Sequence, residues 1–506
     1  MGIPAYFSYI VKNHSHILKR YSKYPIRVNH FYLDSNSIIY DVFYKSEGPI
    51  TDWPDFATRI CQQIDAYILT IRPTDSVFIA FDGVAPFAKI QQQRSRRYKS
   101  WFMAQMAHKQ CSSESELTTT MFTPGTPFMK FFSGFLKKWK WNSTTCPQQN
   151  IRVSTSETPG EGEHKIYQLI RDQPEIHANK NVVVYGLDAD LLMLSIFHSE
   201  RTNLFVFRET PEFIKSIQAD LIPNETYYID IQRLCLSILQ EMNCACSSFA
   251  RVYDYAFFCF LLGNDFLPHF PTINLRNHGI HTLLDLYRHT FGNTDKYLIH
   301  PTDSTIQWNH VFQFFKTIQP MERQYFIEEM ERRDKIRINT SVNTKEEREY
   351  VFNATPLIYR QDELFIAPNE EGWQSRYYSV LFHIDASSVK SRTDIVMNYL
   401  EGLEWTYLYY TGGTPDWSWH YRYHYPPLFE TVIECSNQRL NWKWNRKAKP
   451  ITGVEQLSFV LHRDDFIKCV DSETANKYLT EHGERFVVMP KFQWAFCRYF
   501  WEAHLV

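Results

Sequence analysis

Three short apolar runs constrain this chain more than any other feature: HFYLD (30–34), SVFIAFD (76–82) and NVVVYGLD (181–188). Each is rich in β-branched or aromatic residues, as a buried strand requires, and each ends in an acid: Asp34, Asp82 and Asp188. Amphipathic stretches lie between them, PDFATRICQQIDAYILTI (54–71) and EHKIYQLIRD (163–172). Strand and helix in this alternation predict an α/β fold with a mainly parallel sheet. From about 205 to 340 the sequence is mixed and increasingly helical. The charged stretch MERRDKIRINTSVNTKEERE (330–349) reads as a surface connection, with an exposed helix as the alternative. Beyond it the texture turns aromatic, most densely in WTYLYYTGGTPDWSWHYRYHYPP (405–427). The expected organisation is a core over 1–330, a connection over 331–349 and a second region over 350–506.

Ligands of open parallel sheets bind outside the carboxyl ends of the strands, so three strand-end aspartates point into one crevice. Further acids have the same look. Asp190 follows Asp188 by two residues, Glu161 and Glu163 stand either side of a glycine in TPGEGEHK (158–165), and Asp265 follows an apolar run in LLGNDFLPH. One aspartate at a strand end is usually a turn residue or a helix cap, and E-G-E alone reads as a solvated loop. The joint pattern is harder to explain that way. Seven carboxylates in one cleft need counter-charge, and hard divalent cations with oxygen ligands, Mg²⁺ or Mn²⁺, supply it. Two such ions ~4 Å apart serve in-line displacement at phosphorus.

Directly after Asp82 comes APFAKIQQQRSRRYKSW (85–101). At ~100° per residue, Lys89, Gln93, Arg96 and Arg97 fall on one helix face, while Arg94 and Tyr98 point elsewhere. Three cations and an amide on one face suit a phosphate, because guanidinium forks give paired hydrogen bonds. A solvated basic helix is the alternative, and the neighbouring Asp82 argues against it. Some rings of the 405–427 segment are expected to stack on bases and most to pack as core.

A net charge of −2 excludes a general polyanion-coating protein but leaves room for a local basic channel. The ten cysteines form no C-x-x-C pair and read as reduced thiols of a cytosolic-type compartment. No signal peptide is recognisable, and the longest apolar run, YAFFCFLLG near 255, is too short to span a bilayer. The expectation is a protein without a membrane partner.

In their order, MGIPAYF, YLDSNSIIY, AFDGVAPFAKIQQQRSRR, TPGTPFM, ETPGEGEHKI, YGLDADLLML, LLGNDFLPH and YYTGGTPDWSWHYRYHYPP resemble the Xrn family of 5′→3′ exoribonucleases, over nearly the whole chain. The resemblance implies a PIN-like, flap-endonuclease-like α/β nuclease core, wrapped by a second conserved region that narrows the entrance. It implies processive hydrolysis of single-stranded, 5′-monophosphorylated RNA to mononucleotides with two Mg²⁺ ions, Mn²⁺ substituting, in RNA decay, cytoplasmic with the nucleus as the open alternative. Motif by motif, the metal acids would be Asp34, Asp82, Glu161, Glu163, Asp188, Asp190 and Asp265. The pocket for the 5′-phosphate would be Lys89, Gln93, Arg96 and Arg97, the four residues of the helix face. Tyr40 stands where the family has a base-stacking histidine, and Trp417 or Trp419 would be the opposing ring.

Departures accompany the likeness. Ser37 replaces a usual glycine, Phe87 replaces the arginine after GVAP, and the segment between Arg97 and TPGTPFM is short for the family's tower helix. The sequence ends soon after the second region, as expected of a minimal or viral-type member without the long C-terminal extension. Decapping factors are compatible partners but leave no mark in the sequence. Two rivals stay open: a 5′ flap or DNA exonuclease of the same superfamily, which would tolerate 5′-hydroxyl ends, and a catalytically inert RNA-binding scaffold, which would need gaps in the acid set. No motif reads a 2′-hydroxyl, so RNA over DNA rests on the resemblance.

Overall fold

A computed structural model describes residues 3, 5–106, 117–246, 248–277 and 279–506. Its centre is a seven-stranded sheet of β1 (Leu18–Arg20), β2 (His30–Asp34), β3 (Ser76–Ala80), β4 (Ile151–Ser154), β5 (Asn181–Tyr185), β6 (Asn203–Glu209) and β7 (Thr226–Asp230), in the order β1-β7-β6-β5-β2-β3-β4. The five strands from β4 to β6 are parallel, with Leu33 level with Ile79 on one side and Tyr185 on the other. The last two, β7 and β1, are antiparallel. The mainly parallel α/β sheet read from the sequence is present.

Alternation along the strands divides two cores. Phe31, Leu33, Val77, Ile79, Val183 and Tyr185 face one side, against helices Trp53–Ile71 and Pro127–Leu136. Tyr32, Val182, Val184, Leu204 and Val206 face the other. The Trp53–Ile71 helix begins where Asp52 accepts a hydrogen bond from the Asp55 N–H and Pro54 supplies a preset φ. From β2 the chain moves outward through β3 and β4, then returns across β2 to lay down β5 and β6. The order therefore reverses between β2 and β5, and such a reversal opens a crevice at the strands' carboxyl ends.

The larger core also takes in Tyr399, Leu403, Trp405, Tyr409, Tyr410, Phe429 and Val432 from the second region. A smaller core packs Ala85 and Ile90 against Leu457, Val460, Leu461 and Phe466. The second region is thus seated on the basic helix Phe87–Met106. Phe87 N–H donates to the Trp417 carbonyl, Arg94 donates to the carbonyls of Phe459 and Arg485, and Lys99 Nζ donates to those of Trp501 and Ala503. The charged stretch 330–349 is part helix and part loop. Its start completes helix Trp308–Asp334, and a capping box at Thr344 opens the exposed helix Lys345–Asn353. Of the segment between Arg97 and TPGTPFM, short for a tower helix, residues 107–116 with Cys111 lie outside the described residues. The nine described cysteines are unpaired, and no described helix is long and apolar enough to cross a membrane.

Candidate active site

The site forms where β2, β3 and β5 run out. Asp34 is the last residue of β2, Asp82 lies two beyond β3, and Asp188 lies three beyond β5. All three line a cleft of about 550 Å³. Asp82 is held from two sides: Asn36 Nδ2 donates to its Oδ2 at 2.6 Å, and the Gly162 N–H donates to its Oδ1 at 2.7 Å.

Glycine between Glu161 and Glu163 now has a physical reason. A Cβ on Gly162 would lie 2.6 Å from Asp34 Oδ1 and 3.0 Å from the Ala80 carbonyl oxygen. Only a bare backbone lets the two glutamates enter beneath the end of β2. The preceding turn is pinned by Gly83 N–H to the Gly160 carbonyl (2.9 Å) and Gly160 N–H to the Val84 carbonyl (2.8 Å), with Gly160 at φ +101°.

A buried tier lies behind the open one. Glu161, Glu163 and Asp190 are 5%, 6% and 1% exposed. Lys89 Nζ sits among these acids, 2.7 Å from Glu161 Oε1 and 2.6 Å from Asp265 Oδ2. Burial opposes its charge, and Asp265, Glu161, Glu163 and Asp190 outweigh burial, holding the ammonium well above the ordinary lysine range. Burial and then Asp82, Asp188 and Glu161 push the Asp34 carboxyl well up. Burial, with Asp188 and Asp265, pushes Asp190 up to about 8. The cluster carries more negative charge than one lysine balances.

Two hydroxyls from the second region complete it. Tyr409 donates to Glu161 Oε2 and Tyr410 to Asp190 Oδ1, each at 2.6 Å. His164 lies against Tyr409, ring centroids 3.6 Å apart and planes tilted by 31°, and its ring joins Glu161 and Glu163 in a group whose potential ligand atoms lie within 4.8 Å of one another. The donor set fits a hard divalent cation. It is mostly carboxylate oxygen, and Asp34 Oδ1 is buried without a hydrogen-bond partner among the described residues.

Gln93, Arg96 and Arg97 line the same cleft as the open tier. Arg97 is braced by the Thr119 carbonyl and Thr123 Oγ1. Arg96 is exposed and makes no side-chain hydrogen bond or ion pair among the described residues. Lys89 differs from the sequence reading. On the helix face it belongs with these three, but its ammonium is committed to Glu161 and Asp265 and does not line the cleft. Tyr40 lines the cleft, edge-on to Phe122. Trp419, read as one of two candidate stacking rings, is 8% exposed, stacks on Trp405 and donates to Glu401 Oε2. Trp417 is half-buried, and it too is outside the cleft lining.

Sequence reasoning did not single out Asn36, His164, Tyr409 or Tyr410. Asn36 carried a usable signal, two residues after Asp34. The tyrosines carried none, being two rings in a segment full of them.

The fold and site define an α/β protein with a polyacidic crevice at the switch point of a parallel sheet and a cationic helix on its rim. The model of the XRN 5′-3′ exonuclease N-terminus matches residues 1–210, and that of the Xrn1 helical domain matches 248–364 and 358–465. The chain belongs to the Xrn family. It is 27% identical to 5′-3′ exoribonuclease 2 of Arabidopsis thaliana over 90% of this chain and 61% of that protein. With 5′-3′ exoribonuclease 1 of Homo sapiens it shares 26% identity over 91% of this chain and 30% of that protein. It therefore spans less than two thirds of the length of these relatives. A solved structure of the catalytic core of Rad2 in complex with DNA substrate resembles it at TM-score 0.35 and 14% identity, over 87% of this chain and 96% of that one, too weak a likeness to support an argument.

Proposed function

We propose that the chain is a processive 5′→3′ exoribonuclease that degrades single-stranded, 5′-monophosphorylated RNA to mononucleotides. The observation that carries this reading is one cleft lined both by Asp34, Asp82 and Asp188 and by Gln93, Arg96 and Arg97. Arg96 and Arg97 take the terminal phosphate by charge-assisted hydrogen bonds and Gln93 adds an amide. Lys89 is the fourth group of that cradle on the helix face, and Glu161 and Asp265 are the partners it would give up to join. Anchoring the end counts one nucleotide inward and sets the next phosphodiester over the acids. Tyr40 offers a ring to the first bases, and Trp417, the less buried of the two tryptophans, is the candidate to oppose it.

Asp34, Asp82, Glu161, Glu163, Asp188, Asp190 and Asp265 would hold divalent metal, Mg²⁺ by the chemistry of the donors, with Mn²⁺ as a substitute. Two such ions supply Lewis acidity and a nucleophile at neutral pH. Water adds to phosphorus and the bond from phosphorus to the 3′ oxygen breaks. The released nucleotide keeps a 3′-hydroxyl, and the remaining strand gains a new 5′-monophosphate. That end fits the same cradle, which favours successive cuts over release. A 5′-triphosphate or cap overfills the cradle, and a 5′-hydroxyl leaves its cations unpaired. Nine unpaired thiols suit a reducing compartment, in keeping with cytoplasmic RNA decay.

The test uses labelled single-stranded RNA and DNA carrying mono-, tri- or unphosphorylated 5′ ends, with Mg²⁺ or EDTA. Mononucleotide release from monophosphorylated RNA alone, abolished by EDTA, is expected. Cleavage of 5′-hydroxyl or branched DNA would favour a flap or DNA exonuclease, and binding without cleavage in any arm would favour a scaffold.

A further inference from the structure

Besides Arg96 and Arg97 the cleft is lined by a third guanidinium, carried by the sheet and not by the basic helix. Arg208 lies near the end of β6, lines the cleft and is 8% exposed. Its guanidinium carbon lies 3.7 Å from the centroid of the Phe7 ring, which lines the cleft as well. Among the described residues that guanidinium makes a single hydrogen bond, Nε to the Glu209 carbonyl at 3.4 Å, and no ion pair. A guanidinium offers five N–H donors and stays charged. Burial lowers its pKa to about 10, against the opposing pull of Asp188 and Glu209, which still leaves the cation intact at neutral pH. A buried cation with most donors unused, in an open cleft, is arranged for an anion that arrives from outside.

Strand order fixes which anion. The basic helix follows β3 and Arg208 belongs to β6, with β2, β5 and the open aspartates between them. The β3-to-β6 distance is three strand spacings, ~14 Å, so the aspartates stand between the basic helix and Arg208. We propose that Arg208, held flat by Phe7, binds the backbone phosphate on the 3′ side of the scissile one, and that the exposed ring of Phe213 at the cleft edge stacks on the base beside it. Phe213 is 57% exposed and lines the cleft, which suits a sequence-tolerant stacking surface. This assignment rests on the function proposed above and extends it by one nucleotide subsite.

The experiment measures binding of 5′-phosphorylated oligoribonucleotides of one, two, three and five residues to the full chain by calorimetry, with Ca²⁺ in place of Mg²⁺. Arg208→Gln, with its fold confirmed by thermal melting, is expected to bind the one- and two-residue ligands within about twofold of the original chain. It should lose about tenfold on three and five residues, with the log–log salt slope for the five-residue strand shallower by ~0.7. Arg208→Lys should recover part of that loss. Phe213→Ala, at an exposed ring, should show the same length-dependent pattern at about threefold without risk to the core. Losses equal at every length, or none in either variant, would overturn the assignment and leave the proposed function standing. An original chain that binds no 5′-phosphorylated strand would overturn both.

Discussion

The two halves of the site are built from opposite kinds of chemistry. The sheet region supplies charge: seven carboxylates, Lys89 and the arginines of the basic helix. The second region supplies neutral groups: the Tyr409 and Tyr410 hydroxyls on Glu161 and Asp190, and the carbonyls of Trp417, Phe459, Arg485, Trp501 and Ala503 that grip the helix. Charges crowded in a buried place repel one another and do not set their own geometry. Neutral donors and acceptors on a packed scaffold can. The difference teaches that the sheet region carries the charged groups, while the second region holds them by neutral hydrogen bonds.

That contrast can be broken from either side. The largest effect is expected from the charged side: Asp188→Ala or Asp190→Ala should lower hydrolysis by ~10³-fold or more, ~4 kcal/mol of barrier, while RNA binding persists. Normal turnover in single-turnover kinetics would remove the acids from the reaction. Next comes Gly162→Ala, whose methyl group meets Asp34 Oδ1 at 2.6 Å. A loss of ~10²-fold in rate is expected with the melting temperature little changed, and full activity would show that Asp34 has room to move.

The neutral side is tested by Tyr410→Phe and Tyr409→Phe. Removing either hydroxyl should weaken Mn²⁺ affinity or activity by ~10- to 100-fold, as for other groups that orient metal ligands. Unchanged Mn²⁺ titrations and rates would make these rings mere packing. Smaller again is Arg96→Gln, expected to reduce the preference for 5′-monophosphate over 5′-hydroxyl ends by ~10-fold, ~1.4 kcal/mol. An unaltered preference in competition assays would move the cradle elsewhere. Smallest is Thr344→Ala in the exposed capping box, which should cost ~1 kcal/mol of stability in denaturant titrations and leave the rate untouched.

Legibility in the sequence follows the same division. Strand ends, helix amphipathicity and clustered charge are local, so β2, β3, β5, the Trp53–Ile71 helix and all seven acids could be read from short stretches. The role of Gly162 could not, because it depends on Asp34 and Ala80, far away in sequence. Lys89 shows the limit of a helical wheel. It shares a face with Gln93, Arg96 and Arg97, yet it lies near the start of the helix, where its ammonium pairs with Glu161 and Asp265. Trp419 shows the limit of composition: beside Trp405 and Glu401 it is core, and nothing local separates it from Trp417.

The most direct test of the central claim is anomalous diffraction from crystals of the chain grown with Mn²⁺ and a nucleoside 5′-monophosphate. The account predicts Mn²⁺ bound by carboxylates of both tiers, Asp34 and Glu161 among them, with the nucleotide's phosphate on Arg96 and Arg97 in the same cleft. Manganese at unrelated surface acids, or a phosphate bound away from the basic helix, would contradict it.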